Sequence, residues 1–280
     1  MELSDIARRY DGFVLDLDGC VYVGGEATPG APEAIRALRE AGKGVVFATN
    51  DPRHVVEDYV RRLWGVGVRA STSDVVTVGA ATQHLLAETR SGESAFVIGT
   101  AAMCRHVADA GLEVVNGTDL ASRASVVVVG GTDDLCYDDL RHATLSLRSG
   151  AAFVAAGRDS TYPMPDGLWP GTGAIVVALE YASDRTAEVV GKPEPGLIRT
   201  AVDRLRVERV LVVGDRLDAD VAAAHAAGLD AALVLTGATT REEGERALED
   251  ATGEVPRPLA VADSLAELVV RAGPSDPNRS

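Results

Sequence analysis

Two carboxylates two residues apart, Asp16 and Asp18, close the apolar run Phe13-Val14-Leu15 and are followed at once by Gly19. A short apolar run of this kind reads as a buried strand, and the glycine lets the chain turn just beyond it. In open α/β sheets that edge is where ligands bind. One carboxylate of such a pair can attack or hold a cation while the other moves a proton. Two anions this close are costly unless a cation lies between them. Asp-x-Asp-Gly also opens calcium loops, but those need a further Asp or Asn two residues on and a Glu at the twelfth place. Cys20 and Ala27 stand there instead.

Three further features fall where strands end or helices begin. Thr49-Asn50 follows the apolar stretch 44–48, Lys192 sits in Gly191-Lys192-Pro193, and Asp215 and Asp220 follow the run Val210–Val213. Among 27 basic residues only Lys43 and Lys192 are lysines, so lysine has been kept at two places in a chain that otherwise uses arginine. Together the four features supply one chemistry. Phosphoryl transfer needs an in-line nucleophile, a divalent cation and donors around the equatorial oxygens. Asp16 is the candidate nucleophile, which would divide hydrolysis into formation and breakdown of an acyl phosphate. Asp18 would protonate the leaving oxygen and then activate water. Asp215 completes an acidic cluster suited to Mg²⁺, an oxygen-seeking ion. Lys192 and the Thr49 hydroxyl would bind and neutralise the phosphate.

The elements that must position these groups alternate strand and helix. Residues 12–17 and 44–49 read as buried strands, and 31–40 as a helix with Ala34, Ile35 and Leu38 on one face. Asp51-Pro52 reads as an N-cap with proline at the first helical position, opening a helix through Leu63. Strands are expected at 95–98, 125–129, 152–155, 210–213 and 231–235. A helix is expected from Val221 to Ala227 with its stop at Gly228, and another over 265–270. Residues 158–173, rich in Pro and Gly and holding Tyr162 and Trp169, read as a loop, and Gly171-Thr172-Gly173 as a turn within it. Residues 273–280 read as a disordered polar tail.

Composition excludes several classes. A net charge of −15 and a pI of about 4.7 argue against a nucleic-acid partner, which needs clustered Lys and Arg. No apolar run approaches the roughly 18 residues of a membrane helix, so no membrane partner is expected. The first residues lack the basic-then-apolar pattern of a signal peptide. Three scattered cysteines, Cys20, Cys104 and Cys136, fit a reducing compartment better than a disulfide framework. A cytoplasmic location is the expectation. No P-loop is present, and the five histidines lack metal-ligand spacing.

The ordered set Asp16-Leu17-Asp18-Gly19, Thr49-Asn50, Lys192, and Gly214-Asp215 with Asp220 five residues on resembles the haloacid dehalogenase (HAD) superfamily. About 140 residues separate Thr49 from Lys192, room for a large α/β cap inserted after the second motif. That layout, with Gly-Leu-Trp-Pro-Gly-Thr-Gly (167–173) and Gly-Lys-Pro-Glu-Pro (191–195), is similar to the NagD-like phosphatases. The resemblance covers about residues 1–272. It implies a Rossmann-like parallel sheet core with helices on both faces (1–79 and 185–272) and an inserted α/β cap (80–184) that chooses the substrate. It makes Asp16 nucleophile and Mg²⁺ ligand. Asp18 becomes the acid/base and gives its carbonyl to the metal, Asp215 is a further ligand, and Asp220 supports the metal from outside. Thr49, Asn50 and Lys192 are the phosphate-binding residues. The implied substrate is a small phosphorylated metabolite of the phosphoglycolate, glycerol phosphate, nucleotide or sugar phosphate type, and the implied partner a second copy docked through the cap.

Other readings use the same residues. A phosphomutase would return the phosphoryl group to its substrate, and a phospho-acceptor switch would keep it on the aspartate. A switch domain is shorter, has no insert and needs no Asp18. Three departures from the family pattern bear on the site. Asp51 stands where relatives often carry Asn and adds a negative charge beside Thr49-Asn50, so Asp51→Asn should lower KM. Gly157-Arg158-Asp159 replaces Asn-Pro-Asp or Asn-Arg-Asp. Cys20, where Thr or Val is frequent, reads as a small packing residue, or else as a thiol whose oxidation would block the site.

Overall fold

A computed structural model of the chain describes residues 1–164, 167–250, 253 and 255–271. It divides into two compact units. The first comprises Met1–Phe47, Val60–Asp74 and the chain from Thr200 onward; the second comprises Ala48–Tyr59 and Val75–Arg199. The expected cap, 80–184, lies wholly within the second unit. So do residues 48–59, 75–79 and 185–199, which the sequence groups with the core. The expected tail, 273–280, lies outside the described residues.

In the first unit, parallel strands run in the order Ala260–Ala262, Asp230–Val234, Val210–Gly214, Gly12–Leu15 and the first four residues of Gly44–Thr49. Phe13, Val14, Leu15 and Leu211 to Val213 are all buried without alternation. A parallel sheet covered on both faces requires that pattern. Leu15 pairs with Val213 on one side and with Phe47 on the other. That register sets Asp16, one residue past Leu15, at the same sheet end as Asp215, two past Val213. The helix Ala31–Glu40 buries Ala34, Ile35 and Leu38, as its spacing predicts.

The second unit has its own parallel sheet, ordered Glu188–Val189, Ala152–Ala155, Val126–Gly131, Ser94–Gly99, Glu113–Val114. Its side chains divide by strand alternation. Phe96, Ile98, Val127, Val129 and Phe153 join one core cluster, with Leu147 and Leu179 from the helices Tyr137–Arg148 and Thr172–Ser183. Ala95, Val97, Val126, Val128 and Val154 join another, with Leu86 and Met103 from the helices Val78–Thr89 and Ala101–Asp109. This unit is therefore also an α/β layer with helices on both faces of its sheet.

Three local expectations change, one of them being that Gly171-Thr172-Gly173, read as a turn, instead opens the helix Thr172–Ser183 with Gly171 at its N-cap. The helix expected from Asp51-Pro52 begins at Val56 and ends at Gly65. Asp51 Oδ1 accepts from Arg53 N at 3.1 Å and Arg53 Nε at 2.7 Å, so the carboxylate caps its own turn and not a helix. The stretch read as a loop contains an antiparallel hairpin, Thr161–Met164 against Gly167–Pro170, with Tyr162 opposite Trp169. Prolines at 163 and 170 disguise it. Both strands of a two-stranded ribbon are edges, where a missing N–H is tolerated.

Candidate active site

Asp16, Asp215 and Asp220 converge in the first unit. Each offers a carboxylate oxygen, those oxygens all lie within 4.8 Å of one another, and all three residues are buried. Asp16 is placed by the strand before it, its N–H donating to Val213 O at 2.8 Å. Asp220 belongs to a π-helical turn, Leu217–Val221, and its Oδ2 accepts from Arg216 N at 3.1 Å. Asp215 Oδ2 accepts from Ala238 N at 2.6 Å.

The backbone closes tightly around Asp215. A Cβ at Gly237 would lie 2.0 Å from Asp215 Oδ2, and one at Gly19 2.5 Å from the same atom. Gly19 also has φ +90, which L side chains rarely adopt. Thr236 Oγ1 donates to Gly19 O at 2.5 Å and ties the two loops together. Asp18, half-buried, bridges to Tyr22, whose carbonyl accepts from Gly19 N at 2.8 Å. Burial, and then the charge of Asp18, push the Tyr22 phenol well above its ordinary range, opposed by Arg62, whose guanidinium lies 5.4 Å from the ring centroid.

Three buried carboxylates in one cradle repel one another in a low dielectric. The donors are all hard oxygens, and glycines at 19 and 237 let the backbone close on Asp215 where any side chain would clash. This set suits a divalent cation of the Mg²⁺ type. Sequence reasoning placed Asp220 behind the metal ligands; the geometry gathers it with Asp16 and Asp215.

Thr49, Asn50 and Lys192 come together in the second unit. Thr49 is buried, and its Oγ1 accepts from Asp51 N at 3.0 Å. Lys192 is 3% exposed, and its Nζ donates to Ala48 O at 3.3 Å. Asn50 Nδ2 donates to Lys192 O at 2.9 Å and to Asp159 Oδ2 at 3.1 Å, while Asn50 Oδ1 accepts from Lys192 N at 2.8 Å. Asp51 pairs with Arg53 at 2.7 Å, so its extra charge is locally balanced. The Arg53 guanidinium lies 4.3 Å from the Tyr162 ring centroid.

The sequence reading missed Asp159 as a partner of Asn50, and Gly237-Ala238 as the walls and donor at Asp215. A signal existed for the second: Thr236-Gly237 is a glycine turn just past a strand, the same grammar that marks Asp18-Gly19. For Asp159 the only sign was that it matches the third residue of the family pattern where Gly157 departs from the first.

A family model described as haloacid dehalogenase-like hydrolase matches residues 13–113, and an HAD-hydrolase-like model matches 189–268. An acid sugar phosphatase of Staphylococcus aureus is 30% identical over 238 residues, covering 84% of this chain and 90% of its own. The chain belongs to the haloacid dehalogenase-like hydrolases. Within that family, a D-glycerol 3-phosphate phosphatase of Mycobacterium tuberculosis is 38% identical over 236 residues, 84% of this chain. The match spans 65% of that relative's length. The crystal structure of the glycerol phosphate phosphatase from the same organism, in complex with magnesium, superposes with a TM-score of 0.84 at 35% identity, covering 96% of this chain and 79% of that one. A p-nitrophenyl phosphatase from Archaeoglobus fulgidus gives 0.82 at 30% identity, covering 92% and 98%. This HAD-like hydrolase therefore shares its fold with phosphatases over nearly its whole length.

Proposed function

We propose that this chain is a Mg²⁺-dependent phosphatase of small phosphate monoesters, glycerol phosphate foremost, working through an aspartyl-phosphate on Asp16. The observation that carries the reading is the cluster of Asp16, Asp215 and Asp220, three buried carboxylates whose oxygens lie within 4.8 Å of one another. The relative with 38% identity supports glycerol phosphate, and the 30% identical acid sugar phosphatase supports a sugar phosphate as the next choice.

Asp16 attacks phosphorus with a carboxylate oxygen while the ester P–O bond breaks. Asp18 gives its proton to the departing alkoxide, so the alcohol leaves neutral. Asp18, now ionised, takes a proton from water as that water attacks the aspartyl-phosphate. Inorganic phosphate leaves and the Asp16 carboxylate is restored. Mg²⁺ held by Asp16, the Asp18 carbonyl and Asp215, with Asp220 beside them, would offset the charge of the carboxylates and the phosphoryl group. Thr49, Asn50 and Lys192 take the phosphate in the family's motif order, and Lys192 supplies positive charge.

Phosphate release from glycerol 3-phosphate, sugar phosphates, nucleotides and p-nitrophenyl phosphate, with Mg²⁺ and with EDTA, tests this. Metal-dependent release abolished by Asp16→Asn is the expected result. No release from any ester by folded protein would sink the reading. Phosphate returned to an isomeric ester would favour a mutase.

The location is cytoplasmic, in keeping with the cysteine usage; among the described residues no helix is long and apolar enough to cross a membrane. A second copy is the partner, docked through the second unit. There the helix Thr172–Ser183 presents Val177 and Tyr181, four residues apart and 55% and 94% exposed. A dimer in solution dissociated by Tyr181→Glu supports this, and a wild-type monomer at micromolar concentration refutes it.

A further inference from the structure

We infer that the Asn50 side chain is a positioning device for Lys192 and that Asp159 completes it. This rests on the reading above that Lys192 binds the substrate phosphate.

A carboxamide has two N–H donors and one carbonyl oxygen. In Asn50 both donors and the oxygen are engaged. Nδ2 donates to Lys192 O and to Asp159 Oδ2, and Oδ1 accepts from Lys192 N. One side chain thus grips the N–H and the C=O of the same residue across 142 positions of sequence, as a neighbouring strand would. Any contact of residue 50 with phosphate then comes from its main chain. Lys192 starts from a point fixed at both backbone groups, and its ammonium is steered by Ala48 O. A flexible lysine stem so anchored retains little freedom to lose when an anion arrives.

The surroundings are shaped for this clamp. A Cβ at Gly191 would lie 2.4 Å from Ala156 O and 2.5 Å from Asn50 Oδ1, so the residue before the lysine has to be glycine. Asp159 is held in its turn. Gly173 N donates to Asp159 O at 2.9 Å. A Cβ at Gly171 would meet Asp159 O at 2.2 Å, and one at Gly173 would meet Arg158 O at 2.3 Å. Gly171-Thr172-Gly173 is the room in which the Arg158–Asp159 backbone passes. The departure Gly157-Arg158-Asp159 therefore keeps the one residue the clamp needs, the aspartate, whose oxygen accepts the second Asn50 proton.

Exchanging the two side-chain types separates positioning from bulk packing. Asn50→Asp sets a carboxylate against Lys192 O and Asp159. Adding Asp159→Asn returns a donor opposite the new carboxylate but leaves Lys192 O without one, so recovery should be partial. With p-nitrophenyl phosphate as substrate and inorganic phosphate as competitive inhibitor, we expect Asn50→Asp to raise the inhibition constant about tenfold and lower kcat/KM by about 10². The double exchange should regain about tenfold of kcat/KM, and Asp159→Asn alone should raise the inhibition constant about threefold. Lys192→Ala serves as reference and should weaken phosphate more than any of them.

An unchanged inhibition constant in Asn50→Asp overturns the inference, and so does a double exchange that recovers thermal stability but no phosphate affinity. Should Asn50→Asp not fold, the double exchange and Asp159→Asn decide, and wild-type phosphate affinity in both refutes the clamp. The two readings fail differently. A wild type that hydrolyses no ester defeats the proposed function and this inference with it. An active wild type that needs Lys192 but is indifferent to Asn50 and Asp159 defeats only the clamp.

Discussion

The acidic cluster of the first unit and the amide cluster of the second solve opposite problems. Asp16, Asp215 and Asp220 are like charges buried together, and Arg216 N and Ala238 N donate to Asp220 and Asp215. Asn50, Lys192 and Asp159 are complementary groups whose donors meet acceptors within the protein. Like charges buried together raise the energy of the folded state, whereas matched polar groups lower it or leave it unchanged. One cluster is therefore built to be completed by a cation, and the other is complete before a ligand arrives. Substitutions should affect the two in different ways.

The largest effect belongs to the acidic cluster. Asp16→Asn should lower kcat by roughly 10⁴-fold or more, since it removes the nucleophile itself. The same change should raise the melting temperature measured in EDTA, because one of three repelling charges has gone. A variant that loses activity and is destabilised in EDTA would break the contrast between the two clusters.

Asp215→Asn comes next. Wild-type protein should be stabilised by Mg²⁺, by about 2.7 kcal/mol when the ion is at a hundred times its dissociation constant. In Asp215→Asn most of that gain should vanish, because the oxygen enclosed by Gly19 and Gly237 has lost its charge. Thermal melts with and without Mg²⁺ read this directly. Asn50→Asp should keep the full Mg²⁺ stabilisation, and if it does not, the two clusters are not independent.

A smaller effect concerns Asp51. The sequence suggests that its charge weakens phosphate binding, but the structure pairs it with Arg53 at 2.7 Å. Asp51→Asn would release the positive charge of Arg53 as well as remove a negative one. KM should fall about threefold at low salt, with the gain fading as salt is raised. Adding Arg53→Ala should return KM close to the wild-type value. A threefold fall that survives in the double variant would mean that Asp51 acts alone.

What could be read from the sequence divides along the same line. Asp16, Asp18 and Asp215 announce themselves because they stand at the end of an apolar run and before a helix or glycine turn, a local signal, whereas Asp220 was marked by its spacing from Asp215 in the family pattern. Their sheet was legible for the same reason, as was the alternation of strand and helix through the second unit. The clamp was not legible, because Asn50, Asp159 and Lys192 are brought together by loops over 109 and 142 positions. The hairpin at 161–170 was hidden by its prolines, and the early helix start failed because a carboxylate can cap its own turn as readily as a helix.

The smallest expected effect tests whether the second unit, self-satisfied at its amide cluster, is so throughout. His106 on the helix Ala101–Asp109 bonds Gln83 Oε1 through Nδ1 at 2.8 Å, while its Nε2 is buried against Gly79 with no hydrogen-bond partner among the described residues. Burial holds the imidazole below its ordinary pKa; Asp109 and Glu57 oppose that shift, and Arg105 adds to it. The folded protein therefore resists the proton that an unfolded histidine accepts near pH ~6.5. Above that pH the neutral ring contributes in full. As pH falls below it the unfolded chain is protonated first, and stability is lost down to the folded pKa. The melting temperature should thus drop between pH 7 and pH 5.5 by more in the wild type than in His106→Gln, whose amide cannot take up a proton. Equal drops in the two proteins would show that this buried ring is not where protons act on the second unit.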